Sequence, residues 1–504
     1  MKLGPCEGAW AEAWPWPSSS PPPSPSPPED RLLQGGALPG PPLRHPVTPP
    51  AAAAPAAEDI EYAALAARLV ATGIIPDPWI EGRPRFRLQP VMLPRETAAA
   101  LARAAEDLAA VFQELALLCA AEPALVTDVL GLTPFQRLMW DAAAPLWHGI
   151  ARADVFLTGE GAGEASGPVI CEINSDTPSG EAEAVLLSQL LAERHPEALD
   201  PNRSFGARFC DMLALFGESV GASVAGATGA GGRGGEPFTV GILYPTELTE
   251  DLSMVQLYRR WCEARGWRVV LGSPYNLGRA RGRGVALFGV RCHVLVRHYK
   301  TDWWGERLPV WKDEAPLADA EPLHEPLGIL LEGVALGQVA IVNPLGTVVT
   351  QNKRAMALLW EAQARLSPWA QEVIRRHLPL TVRLERMDRE ALARKDEWVL
   401  KSDYGCEGSE VVIGAEVSEE EWQEALAQVI PSRWVAQRYF RARRDAAGAV
   451  VNHGVYLVAG QAAGFLSRVQ VGATDYRALT APTFVERGAS GTARTGGGDV
   501  RHEG

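Results

Sequence analysis

Apolar residues recur at helical spacing soon after residue 58. The run 60–70 is one such pattern, and a longer one opens at Pro94 and Arg95 and extends to about Cys119. Two further helices are predicted at 123–131 and 134–150. The period then changes. Residues 152–158 and 169–173 read as short strands, and the polar, glycine-rich stretch 159–167 between them predicts a β-hairpin. Helical spacing returns at 181–192 and 205–220. Beyond a glycine-rich linker at 225–236 the texture becomes strand–helix–strand, with strands at 238–244 and 267–271 around a helix at 254–265. Strands at 285–288 and 293–297 follow, and an apolar run at 339–344 leads to a helix beginning near Asn352 and Lys353. This is the pattern of a small α/β unit. No glycine fingerprint follows its first strand, so it does not read as a dinucleotide site. From about residue 380 strands dominate, at 398–402, 410–413, 434–440, 454–458 and 464–471, with one helix at 419–429.

The ends read differently. Residues 1–56 are rich in Pro, Ser and Ala and cannot bury enough apolar surface to offset their entropy. They are expected to be disordered, or to be an extension upstream of the true start. The tail 487–504 is expected to be disordered as well. The intervening chain is expected to divide into a helical region with the hairpin (57–224), the small α/β unit (237–350) and a strand-rich part (351–486). The fold class is α/β (α+β).

Composition narrows the chemistry. Hydrophobic content of 47% and charged content of 22% are those of a globular protein. A net charge of −13 argues against a nucleic-acid or anionic-membrane partner and permits cationic substrates such as amines. Seven scattered cysteines without a C-x-x-C pair fit reduced thiols and a cytoplasmic protein. The most apolar long window, 328–346, is interrupted by Glu332, Gly333, Gln338 and Asn343, so it reads as core and not as a membrane span. The sequence does not fix an oligomeric state.

The hairpin carries the sharpest chemical signal. Residues two apart in a strand share a face, so Glu172 projects with Asn174 and Arg152 with Asp154. A hairpin symmetric about Gly163 sets Asp154 opposite Glu172 and Arg152 opposite Asn174. Two carboxylates and an amide oxygen suit Mg2+, which takes few protein ligands, and an Arg beside them can face developing negative charge. The alternative is an exposed hairpin face with a salt bridge. In the strand-rich part, Lys401 ends a strand just before Gly405 and Gly408. Such a flap lets backbone N–H groups approach phosphate, although a plain hairpin turn fits equally, and a Walker A loop is absent. Lys353 near a helix start, Gln437 within an apolar strand and Arg468 between Ser467 and Val469 complete the set. Their plainer readings are a solvated lysine, an edge-strand polar residue and a structural salt bridge.

Two lysines, a glycine flap and a strand glutamine resemble the nucleotide half of an ATP-grasp enzyme, and Asp with Glu-x-Asn resembles its metal half. Here the metal half comes first in the chain, an order similar to the circularly permuted ATP-grasp of the glutathionylspermidine synthase family. The resemblance runs through Arg152-x-Asp154, Glu172-x-Asn174, Arg297-His298-Tyr299, Trp303-Trp304, Asn352-Lys353, Lys401, Gly405, Gly408, Gln437 and Ser467-Arg468, covering roughly 60–486. It implies a circularly permuted ATP-grasp with an inserted pre-ATP-grasp-like unit. It also implies Mg2+ on Asp154, Glu172 and Asn174, ATP on Lys353, Lys401, Gly405, Gly408 and Gln437, and catalytic roles for Arg152 and Arg468. The implied activity joins a small-molecule carboxylate to an amine through an acyl phosphate. Cys406 departs from the pattern, standing where a basic residue is expected. No substrate-recognising motif is matched. A non-catalytic nucleotide-binding or scaffold protein is the alternative, and a thiol hydrolase a more distant one.

Overall fold

The computed structural model describes residues 57–159, 167–222, 237–246, 251–281, 284–305, 308–314, 323–405, 410–472 and 477–487. The expectations for residues 1–56, the 225–236 linker, Cys406, Gly408 and nearly all of the tail lie outside these residues. All the described residues belong to one compact unit, Ala56–Gly504.

Helix α1 (Ala57–Ala71) leads to a short strand, β1 (Val91–Leu93), and then to the long helix α2 (Arg95–Ala121). Leu101, Ala105, Leu108, Phe112 and Leu115 form the buried stripe of α2. Helix α3 (Pro134–Ala143) starts on a capping box between Thr133 and Gln136 with Pro134 in its first turn. The expected helix over 134–150 therefore stops seven residues early. Pro145 cannot donate to the helix ladder, and by Ile150 the chain is already in strand β2 (Ile150–Leu157). Strand β3 (Pro168–Asn174) returns antiparallel to it.

Helices α4 (Glu181–Leu191) and α5 (Phe205–Ser219) precede the α/β unit: β4 (Thr239–Leu243), α6 (Leu252–Ala264), β5 (Arg268–Gly272), β6 (Val294–Arg297) and β7 (Ala340–Val342). Its sheet is wholly parallel in the order β7-β6-β4-β5, and β4, β6 and β7 are buried, largely apolar runs, as strands of a parallel sheet should be. Helices α7 (Arg354–Glu361) and α8 (Pro368–His377) follow, the latter capped by Ser367 and not expected from the sequence. Strands β8 (Thr381–Arg383), β9 (Trp398–Ser402) and β10 (Val411–Ile413), helix α9 (Glu419–Gln428) and strand β11 (Trp434–Arg438) build a second, antiparallel sheet in the order β8-β11-β9-β10.

The last strands are β12 (Val450–Val458), β13 (Gln461–Gln470), β14 (Leu479–Ala481) and β15 (Thr483–Glu486). The first three join the hairpin in a five-stranded antiparallel sheet, β14-β13-β12-β2-β3, and β15 pairs with β1. Alternation along these strands separates two faces. Ala151, Ala153, Val155, Ile170, Ile173, Val455 and Leu457 share a core with the buried stripe of α2. Arg152, Asp154, Glu172, Asn174 and Gly454 face the other way. At one end that second face is closed by Phe205 and Phe209 of α5, packed in one core with Tyr456 and Leu466.

Among the described residues, no helix is long and apolar enough to cross a membrane.

Candidate functional site

The hairpin has the register expected of it: Asp154 pairs with Glu172 and Arg152 with Asn174. The salt bridge of the plainer reading is present too, but it is buried. Arg152 Nε donates to Asp154 Oδ1 at 2.6 Å and Nη2 to Oδ2 at 3.0 Å, a two-point contact between neighbours on one strand face. Gly454 on β12 makes this possible. It lies opposite Asp154, and a Cβ there would stand 2.7 Å from Arg152 Cδ. The third guanidinium nitrogen, Nη1, donates to the carbonyl of Ser179 at 2.7 Å, which also accepts from the Tyr456 hydroxyl at 2.8 Å.

The ladder carries one irregularity the sequence did not announce. Asp154 pairs with Glu172 but Val155 with Ile170, so Cys171 is an extra residue, a β-bulge. Its carbonyl accepts from Lys401 Nζ at 3.1 Å and from Gln437 Nε2 at 3.3 Å. Both donors come from one face of the second sheet, where Val399 pairs with Gln437 and Lys401 with Val435. Lys401 and Gln437 are 7% and 2% exposed, and Lys353, at 6%, is not the solvated lysine of the plainer reading. Gln437 is not on an edge either, since β11 lies between β8 and β9.

Lys353 reaches the same place from the turn before α7. Its Nζ lies 3.7 Å from Glu172 Oε2 and donates to the Gly405 carbonyl, and the side chain is buried. Asn174 Nδ2 donates to the other oxygen, Glu172 Oε1, at 3.3 Å. Burial alone would raise the Glu172 carboxyl, but Lys353, Lys401 and Arg152 outweigh it and hold the group at about 2. Gly405 is tightly enclosed: a Cβ there would meet Ser402 Oγ at 2.4 Å and Glu410 Oε2 at 2.7 Å. A small cleft, with room for about 10 Å³, is lined by Glu172, Thr350, Gln351, Asn352, Lys353 and Met356.

The turn after Asn174 is fixed by residues to which the sequence reading gave no role. Asp176 accepts from Arg297 Nη2 at 2.5 Å, from Thr301 N at 2.7 Å and from Thr347 Oγ1 at 3.0 Å. Asn343 receives the N–H groups of Gly149 and Ile150 and donates to the carbonyls of Ile150, Ser175 and Asp176, all at 2.8–2.9 Å. Gln351 Oε1 accepts from Ser175 N and Asp176 N. Asp176 follows Asn174 so closely that its position was a usable signal; Asn343 and Gln351 carried none. Arg468 is half-buried on β13, opposite Asn452 on β12, on the face that carries Asp154. The Asn452 side chain is buried, and its Oδ1 has no partner among the described residues. Glu181, at the start of α4, is fully buried; Tyr258 donates to it at 3.1 Å, and burial pushes it up to about 8.

The structure therefore brings together Arg152, Asp154, Glu172, Asn174, Lys353, Lys401, Gly405 and Gln437, and places Arg468 on the same sheet face. Three of the thiols are of another kind, whereas Cys210 is lowered by its hydrogen bond with Cys262. Cys119, Cys171 and Cys292 are pushed up to about 12 by burial, the opposite of an activated thiolate.

The family model described as glutathionylspermidine synthase preATP-grasp matches residues 91–486. The chain belongs to this glutathionylspermidine synthase family. Membership supports an ATP-dependent ligase in general. Among solved structures, a glutathione synthetase-like effector from Globodera pallida, in its apo form, matches at 11% identity. It covers 84% of this chain and 96% of its own length with a TM-score of 0.53, a likeness of fold. A protein assigned as a gamma-glutamylcysteine synthetase from Methylobacillus flagellatus KT matches at 14% identity over 79% of this chain and 88% of its own, with a TM-score of 0.36. No curated protein matches the sequence.

Proposed function

We propose that the chain is an ATP- and Mg2+-dependent carboxylate–amine ligase that forms an amide through an acyl phosphate. The observation that carries this reading is the convergence of buried Lys353, Lys401 and Gln437 on the Cys171–Glu172 segment of the hairpin. A lysine from the second sheet and another from the turn before α7 meet the hairpin segment that carries Glu172, as a site for a metal-bound polyphosphate requires. The order in the chain, hairpin before lysines, supports a circularly permuted ATP-grasp. On this reading 57–224 and 351–486 supply the two parts of the site, with 237–350 between them.

The donor set fits Mg2+. Among the described residues no three His, Cys, Asp or Glu side chains form a metal cage. Two carboxylates and one amide oxygen are what a metal shared with phosphates needs from the protein. Asp154, Glu172 and Asn174 would hold it, and when bound it neutralises charge on the transferring phosphoryl group.

A carboxylate resists amines because its leaving group is poor. Lys353 and Lys401 hold the ATP phosphates and Gln437 meets the adenine edge. Arg152 and Arg468 steady the phosphoryl group as the acid oxygen attacks it, giving an acyl phosphate and ADP. The amine then attacks the acyl carbon and phosphate leaves. This chemistry needs alignment and charge compensation more than covalent help.

The test is ADP release from Mg-ATP across a panel of carboxylic acids and amines. Release that requires both an acid and an amine supports the ligase. Nucleotide binding without release on any combination supports a binding protein instead.

A further inference from the structure

Both lysines of the site are occupied by the protein's own oxygens. Lys353 is shared between the Glu172 carboxylate and the Gly405 carbonyl, and Lys401 is held by the Cys171 carbonyl freed by the bulge. Both side chains are buried. The two carboxylates of the hairpin differ in this respect. Asp154 has both oxygens on Arg152, whereas Glu172 has one oxygen on Asn174 and the other toward Lys353.

We propose that Glu172 is an exchange point: without nucleotide it is the counter-ion of Lys353, and on taking a divalent cation it releases Lys353 to the phosphates. The inference rests on the function proposed above and adds a coupling to it. If Glu172 can satisfy Lys353 or a cation but not both, each bound cation makes one more ammonium available to ATP. Reciprocity then requires that ATP tighten the cation to the same degree. The sign separates this from ordinary metal assistance. Removing the Glu172 charge should strengthen metal-free ATP binding, although the same change removes a metal ligand.

The experiment is calorimetric titration of the full chain with ATP, in EDTA and in Mg2+, for the wild type, Glu172→Gln and Asp154→Asn. Glu172→Gln is expected to bind metal-free ATP roughly 5-fold or more tighter than wild type, the lower end of ordinary coupling, and to gain less from Mg2+. Asp154→Asn should show no such gain, because Asp154 holds an arginine and no lysine. Equal or weaker metal-free binding by Glu172→Gln overturns the proposal. So does an equal gain in Asp154→Asn, which would reduce the effect to simple repulsion.

A second measurement uses the unmutated chain. Competitive labelling with acetic anhydride should acylate Lys353 faster when Mg2+ alone is added, and an unchanged rate overturns the exchange. Absence of ATP binding in every titration would count against the proposed function, while the labelling result would still decide the exchange.

Discussion

Arg152 owes its position to a residue with no side chain. Its stem lies across Gly454, and only there does the guanidinium reach both oxygens of Asp154. Gly454→Ala places a methyl group 2.7 Å from Arg152 Cδ. It should cost about 1–3 kcal/mol of stability by overpacking and lower ADP release more than ATP binding. Urea denaturation and a steady-state assay check the two halves; an unperturbed variant would contradict this placement of Arg152. Glu172→Gln, which keeps the size of the side chain, should reduce turnover by a factor equivalent to about 2–4 kcal/mol of transition-state stabilisation, the scale of one preorganised electrostatic contact. Wild-type turnover at saturating Mg2+ would remove Glu172 from the metal set.

At the scale of elements, the bulge in β3 joins the two sheets. Deleting Cys171 would let Ile170 follow Glu172 in an unbroken ladder, with the pairs Asp154–Glu172 and Val155–Ile170 kept. Lys401 would lose its acceptor, at a cost of about 1–3 kcal/mol for a buried donor left unmet, while Gln437 would keep Thr381 Oγ1 at 3.2 Å. The expected result is a hairpin that still forms, seen in an unchanged far-ultraviolet spectrum, with a lower melting temperature and weaker ATP binding. Unchanged melting would mean that the contact contributes nothing. The hairpin itself was legible because strand periodicity resumes on either side of a glycine-rich stretch, and so was the sharing of faces by Arg152 with Asp154 and by Glu172 with Asn174; its register rested on an assumed symmetry about Gly163, which so long a connection does not fix. The bulge was not, since no glycine marks it. Asp176 meets Arg297 across 121 residues, and Asn343 clamps both ends of the hairpin from the α/β unit. Such pairings depend on how elements pack, which periodicity along one strand does not encode. Helix α3 was overextended because Ile150 continues an apolar spacing that Pro145 had already ended.

At the scale of the whole molecule, the site sheet is closed by strands from the far end of the chain, β12 beside β2. His148, half-buried, and His453, buried, flank that junction, and desolvation pushes each down to about 4. Their unfolded value lies near 6.5, so between these values the unfolded chain binds more protons than the folded one. Stability from these two groups is complete above about pH 6.5 and is lost as pH falls toward 4, by roughly 3 kcal/mol each at most. Urea midpoints from pH 7.5 to 4.5 should fall, and His453→Leu should flatten part of the slope; a flat wild-type profile would contradict the assignment. The claim that organises all of this is that the carboxylate and ATP react to an acyl phosphate over the hairpin face. An active acid labelled with 18O in its carboxylate tests it most directly, with the released phosphate read by 31P NMR. One 18O per phosphate, alongside ADP, is the predicted result. Label found in AMP, or phosphate that carries none, would contradict it.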